Sequence, residues 1–177
     1  KADLIVKIGT ISTVLNEFVE KLRDSKIQEL RKHIFTMYRT LASKSDLIAD
    51  IVIDPLTYRV KIIDKHGDAI SKQNLSAGEK EVFAISLLWG LAKTSNYRLP
   101  VIIDTPLARL DSSHRDAIVT KYFPEAGAQV IILSTDTEVD QNYYKKLEPF
   151  LSRVNHLLFD KYRELTTINE GYFWGGQ

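Results

Sequence analysis

Ser76-Ala77-Gly78-Glu79 stands just ahead of an apolar helical pattern, and its residue types suit an anion. A serine in that place is a good helix N-cap, and Gly78 leaves the backbone open to a phosphate with no Cβ in the way. The start of a helix also presents unpaired N–H groups and the positive end of the macrodipole. Alone, the pattern is no more than a common cap. Further on, Val101-Ile102-Ile103-Asp104-Thr105-Pro106 ends an apolar run in a carboxylate, with Leu110-Asp111 shortly after it. A carboxylate at the C-terminal end of a buried strand sits at the sheet edge where ligands bind. In nucleotide hydrolases such an Asp helps hold Mg²⁺ beside the phosphates, usually through water. A strand merely stopped by Asp and Pro would read the same way. Val130-Ile131-Ile132-Leu133-Ser134-Thr135-Asp136 is a second apolar run ending in polar groups.

The elements that must position these residues follow from periodicity. Leu4, Ile8, Ile11, Leu15, Phe18 and Leu22 step by four and three, the a/d seam of a coiled coil. The seam slips phase and resumes at Ile27, Leu30, Ile34, Met37 and Leu41, with no Pro or Gly from residue 10 to 54. One helix from about residue 3 to about residue 44 is the simplest reading; a pair of helices broken near Ser25 is the alternative. From Asp50 the period becomes two, with Asp54-Pro55 and His66-Gly67-Asp68 as turns, which predicts a hairpin. A polar loop, Ser71 to Ser76, precedes a helix from Glu79 to about Lys93. Short strands at Pro100–Asp104 and Gln129–Ser134 are apolar enough to be buried on both faces. Helices are expected at about 112–122 and 138–152, and final strands at 153–160 and 163–168. Strands alternating with helices favour an α/β sheet with parallel central strands. The division expected is residues 1–46 as a coiled-coil helix and 47–177 as a globular lobe.

Composition narrows the classes. With 177 residues, one domain with a real core is possible, and 44% hydrophobic with 27% charged residues is ordinary for a globular protein. No Cys is present, so disulfides and thiolate metal sites are excluded; this is compatible with a reducing cytoplasm, the expected location. His33, His66, His114 and His156 lack zinc-motif spacing. No apolar run reaches the roughly 18 residues of a membrane span, so no membrane partner is expected. A net charge of +1 gives no global argument for nucleic acid. Locally, Lys21 to Asp46 holds seven Lys or Arg against three Asp or Glu. Such an excess suits DNA phosphates, although a solvated helix face is the commoner explanation.

Taken together and in this order, the three segments resemble the C-terminal lobe of an SMC-type ABC ATPase head. Leu75–Lys80 is similar to the signature motif, Ile102–Pro106 to Walker B, Leu110-Asp111 to the D-loop, and Ser134-Thr135-Asp136 to the switch segment. The heptads before them are similar to the coiled coil that re-enters such heads. Within that superfamily, the run from Asp104 to Arg115 is most similar to the DndD family, SMC-like ATPases of bacterial DNA phosphorothioation. Tyr122-Phe123-Pro124 and Leu133 through Glu138 point the same way. SbcC-, RecN- and RecF-like repair ATPases are the alternative. The resemblance implies ATP and Mg²⁺ as cofactors, with Asp104 toward the metal. It places Asp104, Thr105 and Thr135 at catalytic positions and Ser76, Ala77, Gly78, Glu79 and Asp111 at nucleotide-binding ones. It also implies as partners an N-terminal Walker A lobe, a second head in a homodimer, DNA, and other phosphorothioation proteins.

Two departures from the general pattern bear on mechanism. Thr105 stands where such enzymes usually carry a Glu that polarises water, and Thr135 where they usually carry His. A hydroxyl is no general base near neutral pH. Hydrolysis is then slow, or another acid such as Asp136 or Glu138 takes over; a non-hydrolytic, ATP-gated clamp is the competing reading. None of the eight glycines is followed by Lys, so this chain contains no P-loop of its own. A pure coiled-coil interaction protein is disfavoured by the signature and Walker B pair.

Overall fold

The computed structural model describes residues 2–42, 48–95, 97 and 99–174, with side chains from residue 7 onward. The expected boundary at 46/47 and the expected helix end near residue 44 lie outside the described residues, as does the Leu4 side chain.

A single helix, α1, runs from Ala2 to Leu41, 40 residues without a break at Ser25. At about 1.5 Å per residue it extends roughly 60 Å. The phase slip marks a change of face rather than of element. Ile8, Ile11, Leu15, Phe18 and Leu22 are exposed, whereas Ile27, Ile34, Tyr38 and Leu41 are buried. At about 100° per residue the two stripes lie roughly 120° apart. The second stripe packs on α2, Ala77–Thr94, whose Val82, Phe83, Ile85 and Trp89 are buried. The helices cross closely at Gly90, where a Cβ would stand 2.6 Å from Ile34 Cγ1 and 2.9 Å from the Ile34 backbone nitrogen.

The hairpin forms, with one more strand than expected. Strands β1 (Asp50–Ile53), β2 (Val60–Ile63) and β3 (Ala69–Ile70) make an antiparallel sheet in that order, with Ile51 opposite Ile62. Both isoleucines are buried, and α1 packs beside β1. Asp54 Oδ1 accepts from the Leu56 and Thr57 N–H groups at 3.0 and 2.7 Å, closing the first turn. Gly67 takes φ 88° in the second, a conformation glycine adopts without steric strain. Arg31 ties α1 to this sheet through Ile51 O at 2.6 Å and the Asp50 carboxylate. The loop before α2 contains one 3₁₀ turn, Lys72–Asn74, capped by Ser71.

Strands β4 (Val101–Asp104) and β5 (Val130–Leu133) pair with each other. Val101 N–H donates to Gln129 O and Thr105 N–H to Leu133 O, both at 2.9 Å. Both strands advance by four residues in the same direction between these bonds, so the pair is parallel. One expectation fails here: Ile102 is 67% exposed, and Ile131 and Leu133 are also exposed, so these strands are not buried on both faces. Among the described residues, β4 and β5 form a sheet of only two strands, and one face is left open.

Between them the expected helix is built in three pieces. These are α3 (Ser112–Ala117), a π turn (Ile118–Tyr122) and a 3₁₀ turn (Phe123–Glu125) that contains Pro124. The next helix, α4 (Gln141–Leu147), starts later than expected because Asp140 caps it, accepting from Asn142 and Tyr143 N–H at 2.9 Å. Finally β6 (Asn155–Asp160) and β7 (Leu165–Glu170) pair antiparallel.

The chain divides into two compact units. One comprises Lys1–Val101 with Arg109–Val130, the other Ile102–Ala108 with Ile131–Gln177. Within the described residues no helix is long and apolar enough to cross a membrane.

Candidate functional site

Ser76, Ala77, Gly78, Glu79 and Asp111 belong to the first unit. Ser76 caps α2 in a reciprocal box: its Oγ accepts from Glu79 N–H at 3.3 Å, and Glu79 Oε2 accepts from Ser76 N–H at 2.8 Å. The cap reading of Ser76 therefore holds. It does not exclude an anion, because a hydroxyl that accepts one bond keeps its own proton to donate. Ala77 and Gly78 carry N–H groups of the kind a first helical turn leaves without an intrahelical acceptor. A Cβ on Gly78 would lie 3.5 Å from Arg109 O and 3.8 Å from Leu110 Cδ2, ordinary contact distances. Nothing in the packing of the described residues requires glycine there.

The same contact brings Gly78 beside the segment that carries Asp111. That residue caps α3, its Oδ1 accepting from His114 N–H at 2.9 Å while Oδ2 meets His114 Nδ1 at 2.9 Å. The His114 backbone N–H, with the His114 side chain adding to it, holds the Asp111 carboxyl below its ordinary range against the opposing effect of burial. Arg115 Nε donates to Leu110 O at 2.9 Å and fixes the loop from its other side.

Asp104, Thr105 and Thr135 belong to the second unit. Asp104 ends β4 with an exposed side chain, at the C-terminal end of a parallel strand. Thr105 follows with φ 46°, a left-handed conformation that is unusual for a β-branched residue. Holding it there costs about 1–3 kcal/mol, so neighbouring structure must impose it. Its N–H is bound to Leu133 O.

The segment after β5 is tied down on two sides. The Tyr172 hydroxyl meets Ser134 Oγ at 3.0 Å and lies 3.1 Å from Thr135 O, to which it donates. Burial pushes the Tyr172 hydroxyl up, with Glu138, Asp136 and Asp140 adding to the effect and the Ser134 bond opposing it. Thr135 Oγ1 lies 3.3 Å from Thr137 Oγ1. The two carboxylates considered as stand-ins for the missing Glu differ sharply. Asp136 is exposed, whereas Glu138 is 5% exposed, and its Oε1 accepts from Leu107 N–H at 2.5 Å. Glu138 Oε2 is buried with no partner among the described residues. Tyr172 was invisible in the sequence, since it stands in no motif and acts across 38 residues. No cluster of three or more His, Asp or Glu able to hold a metal occurs among the described residues. A cation here would rest on Asp104 and on oxygens from a ligand.

The chain matches no protein-family model. Its backbone superimposes on the SMC head domain with coiled coil and joint from Pyrococcus yayanosii with a TM-score of 0.62 at 13% identity, covering 93% of this chain and 32% of that one. The Pyrococcus furiosus SMC head with an extended coiled coil, bound to the C-terminal domain of ScpA, gives 0.65 at 12% identity, over 91% and 40%.

The fold is that of an SMC head.

A further SMC ATPase structure, from work on ATP-driven dimerization and DNA-stimulated activation, gives 0.64 at 11% identity over 86% and 89% of the two chains. In sequence the chain is similar to the DNA double-strand break repair Rad50 ATPase of Halobacterium salinarum, 25% identical over 148 residues. That match covers 75% of this chain and 16% of the relative's length.

Proposed function

We propose that this chain is the C-terminal lobe of an SMC-like ATPase head, which binds and hydrolyses ATP with Mg²⁺ between two heads. The observation that carries this reading is the capped N-terminus of α2, where a glycine stands although the contacts around it would accept a Cβ. Ser76, Ala77 and Gly78 then offer the Ser76 hydroxyl and first-turn N–H groups to a phosphate held by a partner head. Asp104 would hold Mg²⁺, whose charge offsets that developing on the phosphates, and Asp111 keeps the adjoining loop in place. An N-terminal Walker A lobe supplies the phosphate-binding Lys that this chain lacks.

The biological setting we favour is DNA phosphorothioation, from the Asp104-to-Arg115 run and from Leu133 through Glu138. DNA and other phosphorothioation proteins are then partners, and the location is cytoplasmic. The Rad50 relative favours a second setting, DNA repair, with the same head chemistry. A non-hydrolytic clamp is the variant supported by Thr105 and Thr135.

Ser76→Arg tests the site in the full-length protein that carries this chain. The cation fills the space meant for the partner's phosphate, so ATP-dependent head pairing, read by light scattering, should disappear while the fold survives. Loss of the cap should itself cost about 1 kcal/mol, so pairing is the deciding readout: pairing that survives the substitution would mean that Ser76 is only a cap. Phosphorothioate content of genomic DNA in a strain lacking the protein separates the two settings: loss of the modification supports the first, unchanged modification the second.

A further inference from the structure

Thr105 sits in the left-handed region, and hydrogen bonds hold the backbone N–H groups at and just after it. Its own N–H donates to Leu133 O at 2.9 Å, and two residues later Leu107 N–H donates to Glu138 Oε1. Leu107 is fully buried, so this turn is anchored on its interior side. Glu138 is itself fixed, because its backbone N–H reaches Thr135 O at 3.3 Å, and Thr135 O also accepts from Tyr172. The neighbours of Glu138 thus include no Lys, Arg or His bonded to its carboxylate among the described residues. A buried carboxylate with one neutral donor is an expensive choice unless that bond performs a task.

We infer that Glu138 is a positioning residue, holding the turn after Asp104 so that Thr105 stays in its left-handed conformation at the end of the strand. This rests on the ATPase reading only for its consequence in turnover. The bond couples the switch segment to the strand end: displacement of residues 134–138 would release Leu107, and Thr105 would then relax toward ordinary extended backbone. Oε1 acts as a hydrogen-bond acceptor here, not as a base, because its lone pair is already directed at Leu107 N–H.

The test uses the full-length protein that carries this chain and two readouts. In hydrogen–deuterium exchange, overlapping peptides separate the amide of Thr105 from that of Leu107. Glu138→Ala should accelerate exchange at both, at Thr105 by about tenfold or more, as local opening exposes the amide. In a Thr105→Gly background the same change should accelerate Leu107 alone, because glycine adopts φ 46° without strain and has none to release. Faster exchange at Leu107 with Thr105 unaffected in the Thr105 protein would overturn the assignment. In turnover, Glu138→Ala should lower kcat about tenfold with KM for ATP little changed, and Glu138→Gln, whose carbonyl can still accept, should restore most of it. Equal losses in Glu138→Gln and Glu138→Ala would show that the charge matters and would also overturn it. If Glu138→Ala does not fold, Glu138→Asp, one methylene short of Leu107, takes its place with the same expectations. A wild type with no turnover would remove the ATPase reading, and exchange would still decide the role of Glu138.

Discussion

Thr105 and Asp104 illustrate how much rests on single residues at a strand end. If Asp104 holds Mg²⁺, Asp104→Asn in the full-length protein should greatly reduce hydrolysis, because an amide carries no charge to offset that of the metal. Thr105→Ala separates hydrolase from clamp. Should Thr105 merely occupy the place of the usual Glu, loss of its hydroxyl should change turnover by less than about tenfold, under roughly 1.4 kcal/mol of barrier. Thr105→Glu should then raise turnover by adding a base beside the water. A hundredfold loss in Thr105→Ala with nucleotide binding intact would show that the hydroxyl positions the water. ATP-dependent pairing with no turnover above buffer in the wild type would support the clamp. The cap at Ser76 was legible in the sequence, whereas the cap that Asp111 forms on α3 was not read there. The left-handed φ of Thr105 was not legible, because a Thr-Pro pair after a strand gives no sign of it. The Glu138 bond to Leu107 spans 31 residues, beyond the reach of any local pattern.

At the scale of elements, period and caps were enough to place α1, α2, β1, β2, β6 and β7. They failed where neighbours decide. The apolar runs of β4 and β5 say only that each face tolerates apolar residues, not what covers them. The phase slip in α1 was visible, but its meaning required knowing that α2 packs against the second stripe. Two glycines of α2 show the difference between packing and site. Gly90→Ala forces a Cβ against Ile34, whose backbone cannot retreat without moving α1. It should destabilise the protein by about 1–3 kcal/mol, as overpacking does, with a lower midpoint in urea. Gly78→Ala meets only ordinary contacts in this chain, and it sits in a helix where alanine is favoured. Its midpoint should hold or rise, while ATP-dependent pairing weakens. Equal melting of the two variants would mean that Gly78 is a packing residue like Gly90.

For the molecule as a whole, the segments proposed as signature and Walker B are accompanied by no Gly-Lys pair to hold a phosphate. A signature helix offers N–H groups to a nucleotide that another lobe must already hold. Its own contribution, one hydroxyl and a few amides open to water, competes with solvent for an exposed anion. The isolated 177-residue chain should therefore show no heat of ATP binding in calorimetry, with or without Mg²⁺. Micromolar affinity would correspond to about 8 kcal/mol of binding free energy, far more than an uncovered helix start and one carboxylate provide. Such a result would mean that this chain has a phosphate site of its own and that the half-head reading is wrong. The expected outcome has a positive counterpart. A Walker A lobe added in trans should bind ATP by itself and should recruit this chain in an ATP-dependent manner. Gly78→Ala should weaken that recruitment while leaving the lobe's own ATP affinity unchanged, because the residue is presented to nucleotide only after it has been bound.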